Sequence, residues 1–230
     1  MLLCCILTIG AYAQDDWQPG TYHDVNGATA TGLIRPLKHG PIKNEASIEF
    51  KANKNAEPEI FTASGLQSIV MGRDSFVVAS APVASDWDNE LDFVCVVFDD
   101  DADDMKLYMF QGSAPSNGGG ARSGFSIGLG AGFGSYGRNV GIGAGGGVEI
   151  PIGGSSRGNR RGGMATYYYG SNTAHMKPLT DVNFVDIMSQ MLGDEPEIVT
   201  QLHDNKYSLK NIDKLMRNYD KLRNAEQAKK

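Results

Sequence analysis

The chain has 230 residues, 41% of them hydrophobic and 21% charged, enough to bury a core in one domain or two small ones. With 21 basic against 27 acidic residues the net charge is -6, a profile that argues against a transmembrane bundle, a fully disordered chain and a generally basic nucleic-acid binder. Glycine, at 29 residues, stands well above the average of roughly 7%, and three cysteines are too few for a disulfide scaffold.

Residues Met1 to Gly10 form an apolar run, too short for the roughly 20 residues that span a bilayer, and Ala11-Tyr12-Ala13 supplies the small-x-small pattern of a signal-peptidase site. The pattern predicts a secretory signal over residues 1–13, cleaved after Ala13 to leave Gln14 first, although no Lys or Arg precedes the apolar run. The alternative is a buried N-terminal strand or helix. Cys4 and Cys5 lie inside the run, not after it where a lipoprotein cysteine would stand. Cys95 sits in the apolar stretch Phe93 to Phe98, where a thiol behaves as a small buried hydrophobe.

Over residues 14–112 the spacing predicts short strands at Ala28–Leu37, Ser47–Lys51, Glu59–Thr62, Ser68–Met71, Ser75–Ala79, Leu91–Phe98 and Met105–Gln111. Asn26-Gly27 marks a tight hairpin turn, and Ile48 and Phe50 alternate with Glu49 and Lys51. Strands recurring about every ten residues without a helical period between them favour an antiparallel meander.

Residues 113–163 read as a glycine-rich insertion; between Asn117 and Gly163, 19 of 47 positions are glycine. Phe125, Ile127, Leu129, Ala131 and Phe133 fall on alternate residues, as do Val140, Ile142 and Ala144 and then Val148, Ile150 and Ile152. Period two predicts strands with one apolar face and one bare face, which glycine leaves marginal unless something covers them. Phe125, Ile127, Leu129, Phe133, Val140 and Ile142 are the expected membrane or self-association face. Two strands alone leave backbone groups that lipid cannot satisfy. Such a hairpin therefore either lies on the protein's own sheet or pairs with other copies.

Residues 164–230 begin with a strand at Thr166–Tyr169 and turn helical. Thr180 or Asp181 would cap a helix carrying Phe184, Val185, Met188, Met191 and Leu192, ended by Gly193. Asp194 would cap a second, with Pro196 in its first turn. Ser208 would cap a third, with Leu209, Ile212, Leu215, Met216, Tyr219 and Leu222 on one stripe. The polar stretch from Arg223 to Lys230 is expected to fray. The fold class expected is α+β: an antiparallel meander with a C-terminal cap of two or three helices and a glycine-rich hairpin or disordered insertion.

Several segments resemble a family of exported proteins of unknown function from Bacteroidetes-type gram-negative bacteria. They are Trp17-Gln18-Pro19-Gly20, the Gly27 turn, Gly32-Leu33-Ile34, Ile48-Glu49-Phe50-Lys51, and Phe61-Thr62-Ala63 followed by Leu66-Gln67-Ser68-Ile69. The tail adds Leu192 to Ile198, then Asn205-Lys206-Tyr207-Ser208 leading to Ile212 and Tyr219-Asp220. Ser64-Gly65 departs from the pattern where an acidic turn residue belongs, and the glycine-rich block departs as an insertion. The resemblance implies export and carries over no catalytic residue.

Asp99, Asp101 and Asp103 alternate like the opening of a calcium loop, but Asp104 stands where glycine should turn the chain and Phe110 where a bidentate Glu should close it. A solvated hairpin turn is the better reading. Gly132 to Gly137 and Gly141 to Gly146 spell G-x-G-x-x-G, yet more glycine follows where a dinucleotide site needs a helix. Arg157, Arg160 and Arg161 resemble an RGG segment; export and the net charge argue against nucleic acid. A plain solvated linker is the better reading; the alternatives are contact with lipid or polysaccharide phosphates, or with the protein's own acidic turn. His23, His39, His175 and His203 show no metal spacing. The expectation is a non-catalytic binding or scaffold protein of the cell envelope, periplasmic or associated with the outer membrane, whose partner is an envelope protein or another copy of itself. The alternative is a membrane-associated or self-assembling module acting through the glycine-rich hairpin, and neither a cofactor nor nucleic acid is expected.

Overall fold

The computed structural model describes residues 17–37, 40–83, 85–99, 105–112, 136–137 and 165–227. Over these residues the chain is α+β, with ten strands in one antiparallel sheet and three helices capping it, as the patterning predicts. The strands in chain order are β1 (Gln18–Asp24), β2 (Thr29–Leu37), β3 (Ser47–Lys51), β4 (Glu59–Thr62), β5 (Leu66–Met71), β6 (Asp74–Ser80), β7 (Leu91–Asp99), β8 (Lys106–Gln111), β9 (Tyr136–Gly137), β10 (Ala165–Gly170) and β11 (Lys177–Pro178). Their order across the sheet is β11-β10-β8-β7-β6-β5-β1-β2-β3-β4, with β9 joined to β7 in parallel.

The Asn-Gly turn closes the β1–β2 hairpin as expected. Gly27 takes φ 87°, and the Asp24 carboxylate accepts the Asn26 and Ala28 N–H groups at 2.9 and 2.7 Å. Strand β1 itself is not among the predicted strands. Its sequence, QPGTYHD, has no apolar alternation, and it becomes a strand because β2 and β5 hydrogen-bond it on both sides. Strand β11, only two residues long and ending in Pro178, is likewise missing from the prediction.

The order joins two meanders at β1–β5, and a short connection forces the sheet to curl. In a flat sheet β4 would stand four strand spacings, about 19 Å, from β5. The chain between them is a single 3-10 turn, Ala63–Gly65, and four Cα steps from Thr62 to Leu66 reach at most about 14 Å. The β1–β5 segment therefore rolls up, and Ala63, fully buried, closes its end by donating its N–H to Ala46 O at 2.9 Å. Ala46 in turn donates to Leu91 O at 2.9 Å, which ties the start of β3 to the start of β7. Close approach at the bend needs Gly20 and Gly32, which face one another across β1–β2. A Cβ on Gly32 would collide with the Lys51 carbonyl and the Phe50 ring, and one on Gly20 with the Val70 carbonyl and Ile34.

Inside the roll lies one core of Ile34, Ile48, Phe50, Leu66, Ile69, Met71, Phe76, Phe93 and Cys95. Tyr22 closes it with an edge-on contact to Phe50, centroids 4.9 Å apart. A second core continues along the same sheet face, where Val97, Phe98, Leu107 and Tyr167 meet the helices. Strand β7 serves both, and a bulge explains how. Val96 is opposite Tyr108 and Phe98 opposite Leu107, so Val97 is an extra residue, and Val97 and Phe98 both enter the helical core. On the other face Val94 and Val96 are also buried, so β7 reads as a continuous apolar run.

The helices are α1 (Phe184–Met191), α2 (Pro196–His203) and α3 (Ile212–Gln227). Their apolar stripes, with Phe184, Met188, Met191, Ile198, Leu202, Leu215, Met216 and Tyr219, pack in the second core. Two predicted caps are corrected. Helix α1 starts after Asn183, not at Thr180 or Asp181, and the Asn183 side chain instead accepts the Thr180 N–H at 2.7 Å. Helix α2 starts after Glu195 with Pro196 at its first position, while the Asp194 carboxylate accepts the Tyr219 hydroxyl at 3.0 Å from both oxygens. Ser208 does head the third helical segment. Its N–H donates to Asn211 Oδ1 at 2.7 Å over a 3-10 turn, Leu209–Asn211, that leads into α3. Nor does the chain fray from Arg223: α3 runs to Gln227, because Arg223 packs over Tyr219, donates to its hydroxyl at 3.1 Å and faces Asp194 at 3.9 Å.

Candidate functional site

Strands β8 and β10 flank the glycine-rich block and are hydrogen-bonded neighbours, with Gln111 opposite Ala165 and Phe110 opposite Thr166. The block thus leaves the sheet and returns to it on one rung. Of its own residues, Tyr136 and Gly137 pair with Phe98 and Asp99, between the expected strands that end at Phe133 and begin at Val140. The expected face of Phe125, Ile127, Leu129, Phe133, Val140 and Ile142 lies outside the described residues, as do Arg157, Arg160 and Arg161 and the predicted signal segment 1–13.

Beside that rung lies a cluster of aromatic side chains. The connection 81–90 between β6 and β7 brings Trp87 over the outer face of β8 and β10. Its indole stacks on Phe110 with centroids 4.0 Å apart and planes 12° apart, and meets Tyr168 edge-on at 5.8 Å. The indole N–H donates to the Tyr168 hydroxyl at 2.9 Å. Orientation is therefore fixed by two rings and a hydrogen bond, and the indole remains only half-buried between the exposed Asp86 and Asp88. Burial pushes the Tyr168 phenol above its ordinary range, and the Asp86 charge adds to that. Beneath the connection, Asp92 is 2% exposed; it accepts the Asn89 amide at 2.8 Å and the Phe93 N–H at 2.7 Å. Burial pushes its carboxyl up to about 6 against those two bonds. Within the acidic run Asp92 is thus structural, below the exposed Asp86, Asp88 and Glu90. Sequence reasoning did not single out Trp87. The available signal was a lone tryptophan inside an acidic connection.

A second grouping lies within the sheet. The register places Phe76, Cys95, Met109 and Tyr167 on one row. Cys95 is a free, buried thiol, as its apolar setting predicts, and burial followed by the Asp74 charge pushes it up to about 12. Tyr167 is also raised to about 12, by burial and then by Asp213 at the start of α3. Burial lifts Asp74 to about 6, and its Oδ1 is enclosed without a hydrogen-bond partner among the described residues. A thiol so protonated at neutral pH is a poor nucleophile, so this row is packing material for the seam between the two cores.

A third grouping is half-buried. Trp17 lies under the Arg35 guanidinium at 4.6 Å and the Lys51 ammonium at 4.9 Å, while Arg35 also pairs with Glu49 across β2–β3. Of the acidic turn read against a calcium loop, Asp99 pairs with Lys106 at 2.8 Å opposite it in the β7–β8 hairpin, and residues 100–104 lie outside the described set. His23 bonds Thr29 and His175 bonds Asn172, whereas His203 is exposed. Among the described residues no three His, Cys, Asp or Glu side chains are grouped to hold a metal ion. No helix among them is long and apolar enough to cross a membrane.

These features define a class in structural terms only: a curled antiparallel sheet with a helical cap, carrying a glycine-rich segment between two neighbouring strands. Comparisons with protein-family models, with curated proteins and with solved structures find no match to this chain.

Proposed function

We propose that this is a non-catalytic binding or scaffold protein of the cell envelope, exported to the periplasm or outer membrane, which acts through the glycine-rich segment that its sheet carries. One observation supports this reading above the others: Gln111 and Ala165 share a rung, so residues 112–164 are an excursion from a ladder already closed without them. Long excursions cost little in closure entropy, so the sheet can carry this one cheaply. Export rests on the Ala-x-Ala site and on the resemblance to exported Bacteroidetes-type proteins. The alternating face of Phe125, Ile127, Leu129, Phe133, Val140 and Ile142 makes lipid or another copy of the segment the favoured binding target.

The test replaces residues 113–163 by a short Gly-Ser linker, which sacrifices only the two rungs of β9. The shortened protein should keep cooperative thermal unfolding, and loss of that cooperativity would refute the carrier reading. Liposome flotation of the mature full-length protein, compared with the double change Phe125→Asp and Leu129→Asp, then separates the targets. Flotation abolished by the aspartates supports lipid, and its absence in both proteins leaves a soluble scaffold. N-terminal mass spectrometry of protein from the native cell should find Gln14 first.

A further inference from the structure

The Trp87 surface is built more firmly than a loop covering a sheet requires. Phe110 holds one face of the indole and Tyr168 takes its N–H. What remains outward is half-buried aromatic surface between Asp86 and Asp88, neither of which has an ion-pair partner among the described residues. Half-buried aromatic surface with exposed carboxylates next to it in the chain, one of which, Asp86, acts on the Tyr168 phenol that holds the indole, suits a guanidinium, which can lie over a ring while its N–H groups meet carboxylate oxygens.

The chain holds such a group within reach. Residues 113–163 contain five arginines against one glutamate, in a protein whose net charge is -6. Three of the five, Arg157, Arg160 and Arg161, stand just before β10. Arg161 is five residues from Thr166, and Thr166 is opposite Phe110, the residue on which Trp87 is stacked. Five residues span at most about 17 Å, so the tether is short enough for Arg160 and Arg161 to reach the indole, and a contact so tethered gains a high effective concentration.

We propose that the outward surface of Trp87, with Asp86 and Asp88, is an intramolecular docking site for the arginine cluster Arg157, Arg160 and Arg161. Docking would anchor the C-terminal root of the glycine-rich segment to the sheet. A polyanionic surface, such as one bearing phosphates, would compete for the same arginines. The inference needs only the tether and the Trp87 surface, and stands whatever the rest of the segment binds.

The two tryptophans make the test direct. In a Trp17→Phe background Trp87 is the sole indole, and acrylamide, being neutral, reports its exposure without responding to charge. Adding Arg160→Ser and Arg161→Ser should raise the quenching constant about twofold, and about 0.5 M NaCl should do the same to the parent by screening the pairing. Equal quenching in parent and double variant at low salt overturns the proposal. Protection that fades on dilution also overturns it, since the arginines would then come from another copy. Should Trp17→Phe destabilise the fold, the same comparison runs with both tryptophans present, because Trp17 lies under Arg35 and Lys51 in either protein.

Discussion

One face of the sheet changes character from end to end. The row Thr29, His23, Ser68, Val77 and Val94 crosses five strands, from an exposed threonine to a valine with no exposure at all. At the β1–β2 end this outer face is a set of cross-strand hydrogen bonds open to water, Thr21 to Thr31 and His23 to Thr29, each 2.9 Å. At the β7–β10 end it is Val94, Val96, Tyr108, Phe110 and Tyr168 beneath Trp87 and Met176. The inner face is mainly apolar, with Asp74 opposite Met71 as an exception, and is covered in two ways, by the sheet's own curl at one end and by helices at the other. What covers a sheet face decides which side chains it can carry, because an uncovered aromatic row would expose apolar area and a covered threonine row would need every hydroxyl partnered.

The curled end is the one a single atom should break. Gly32→Val puts a branched side chain against the Lys51 carbonyl and the Phe50 ring, and should cost more than about 3 kcal/mol or abolish folding. Gly65→Ala, with only Thr62 Oγ1 at 4.0 Å, should change little. Urea denaturation of the pair decides it, and a tolerated Gly32→Val would mean that the sheet does not curl there.

At the covered end Trp87→Ala removes the stack on Phe110 and leaves Tyr168 without its donor, for an expected loss of about 3 kcal/mol. Thr21→Val on the open face should cost under about 1 kcal/mol, since water replaces the lost hydrogen bond. Equal costs would erase the contrast between the two ends.

Beneath Trp87 the buried Asp92 makes stability depend on pH. Its carboxyl titrates near 6 when folded and near 3.8 when unfolded, so the folded state holds a proton that the unfolded chain has released. Its contribution is complete below about pH 4 and is lost as pH rises through 6. Asp92 alone accounts for up to about 3 kcal/mol. Asp74 and Asp220, both raised to about 6 by burial, add less because they are more open to water. The urea midpoint should therefore be higher at pH 5 than at pH 7.5, and the opposite order would show that Asp92 is ionised at no cost.

A modest effect is expected in the helical cap. Tyr219→Phe removes the hydroxyl that links α3 to Asp194 while keeping the edge-on contact with Phe98 at 5.7 Å, and should cost about 1 kcal/mol. A change in the thermal midpoint as large as that of Trp87→Ala would mean that the Asp194 link orders the whole cap.

Much of this was legible before any coordinates. Short alternating or apolar runs bounded by turn residues placed β2 to β8 and β10, the Asn-Gly pair placed the first hairpin, and apolar stripes placed three helices, because those signals depend on residues within a turn or two of one another. Ser208 could be read as a helix head for the same reason. Asp194 could not be told from a cap, since its actual partner, Tyr219, lies 25 residues away.

Whatever needed two distant segments at once was decided by the tertiary structure. QPGTYHD is a strand only because neighbours on both sides complete its hydrogen bonds. The run Tyr167-Tyr168-Tyr169 announces a strand but not that its middle ring turns to Trp87 while the other two enter the helical core, which depends on the register with β8. Nor does Phe93 to Phe98 disclose the extra residue at Val97 that lets one strand serve two cores. Local sequence determined where the chain extends or coils, because backbone preference and side-chain period are local. The curl, the choice of face and the seat of Trp87 came from burial and hydrogen bonding between residues far apart in the chain, whose free energy exists only once they meet.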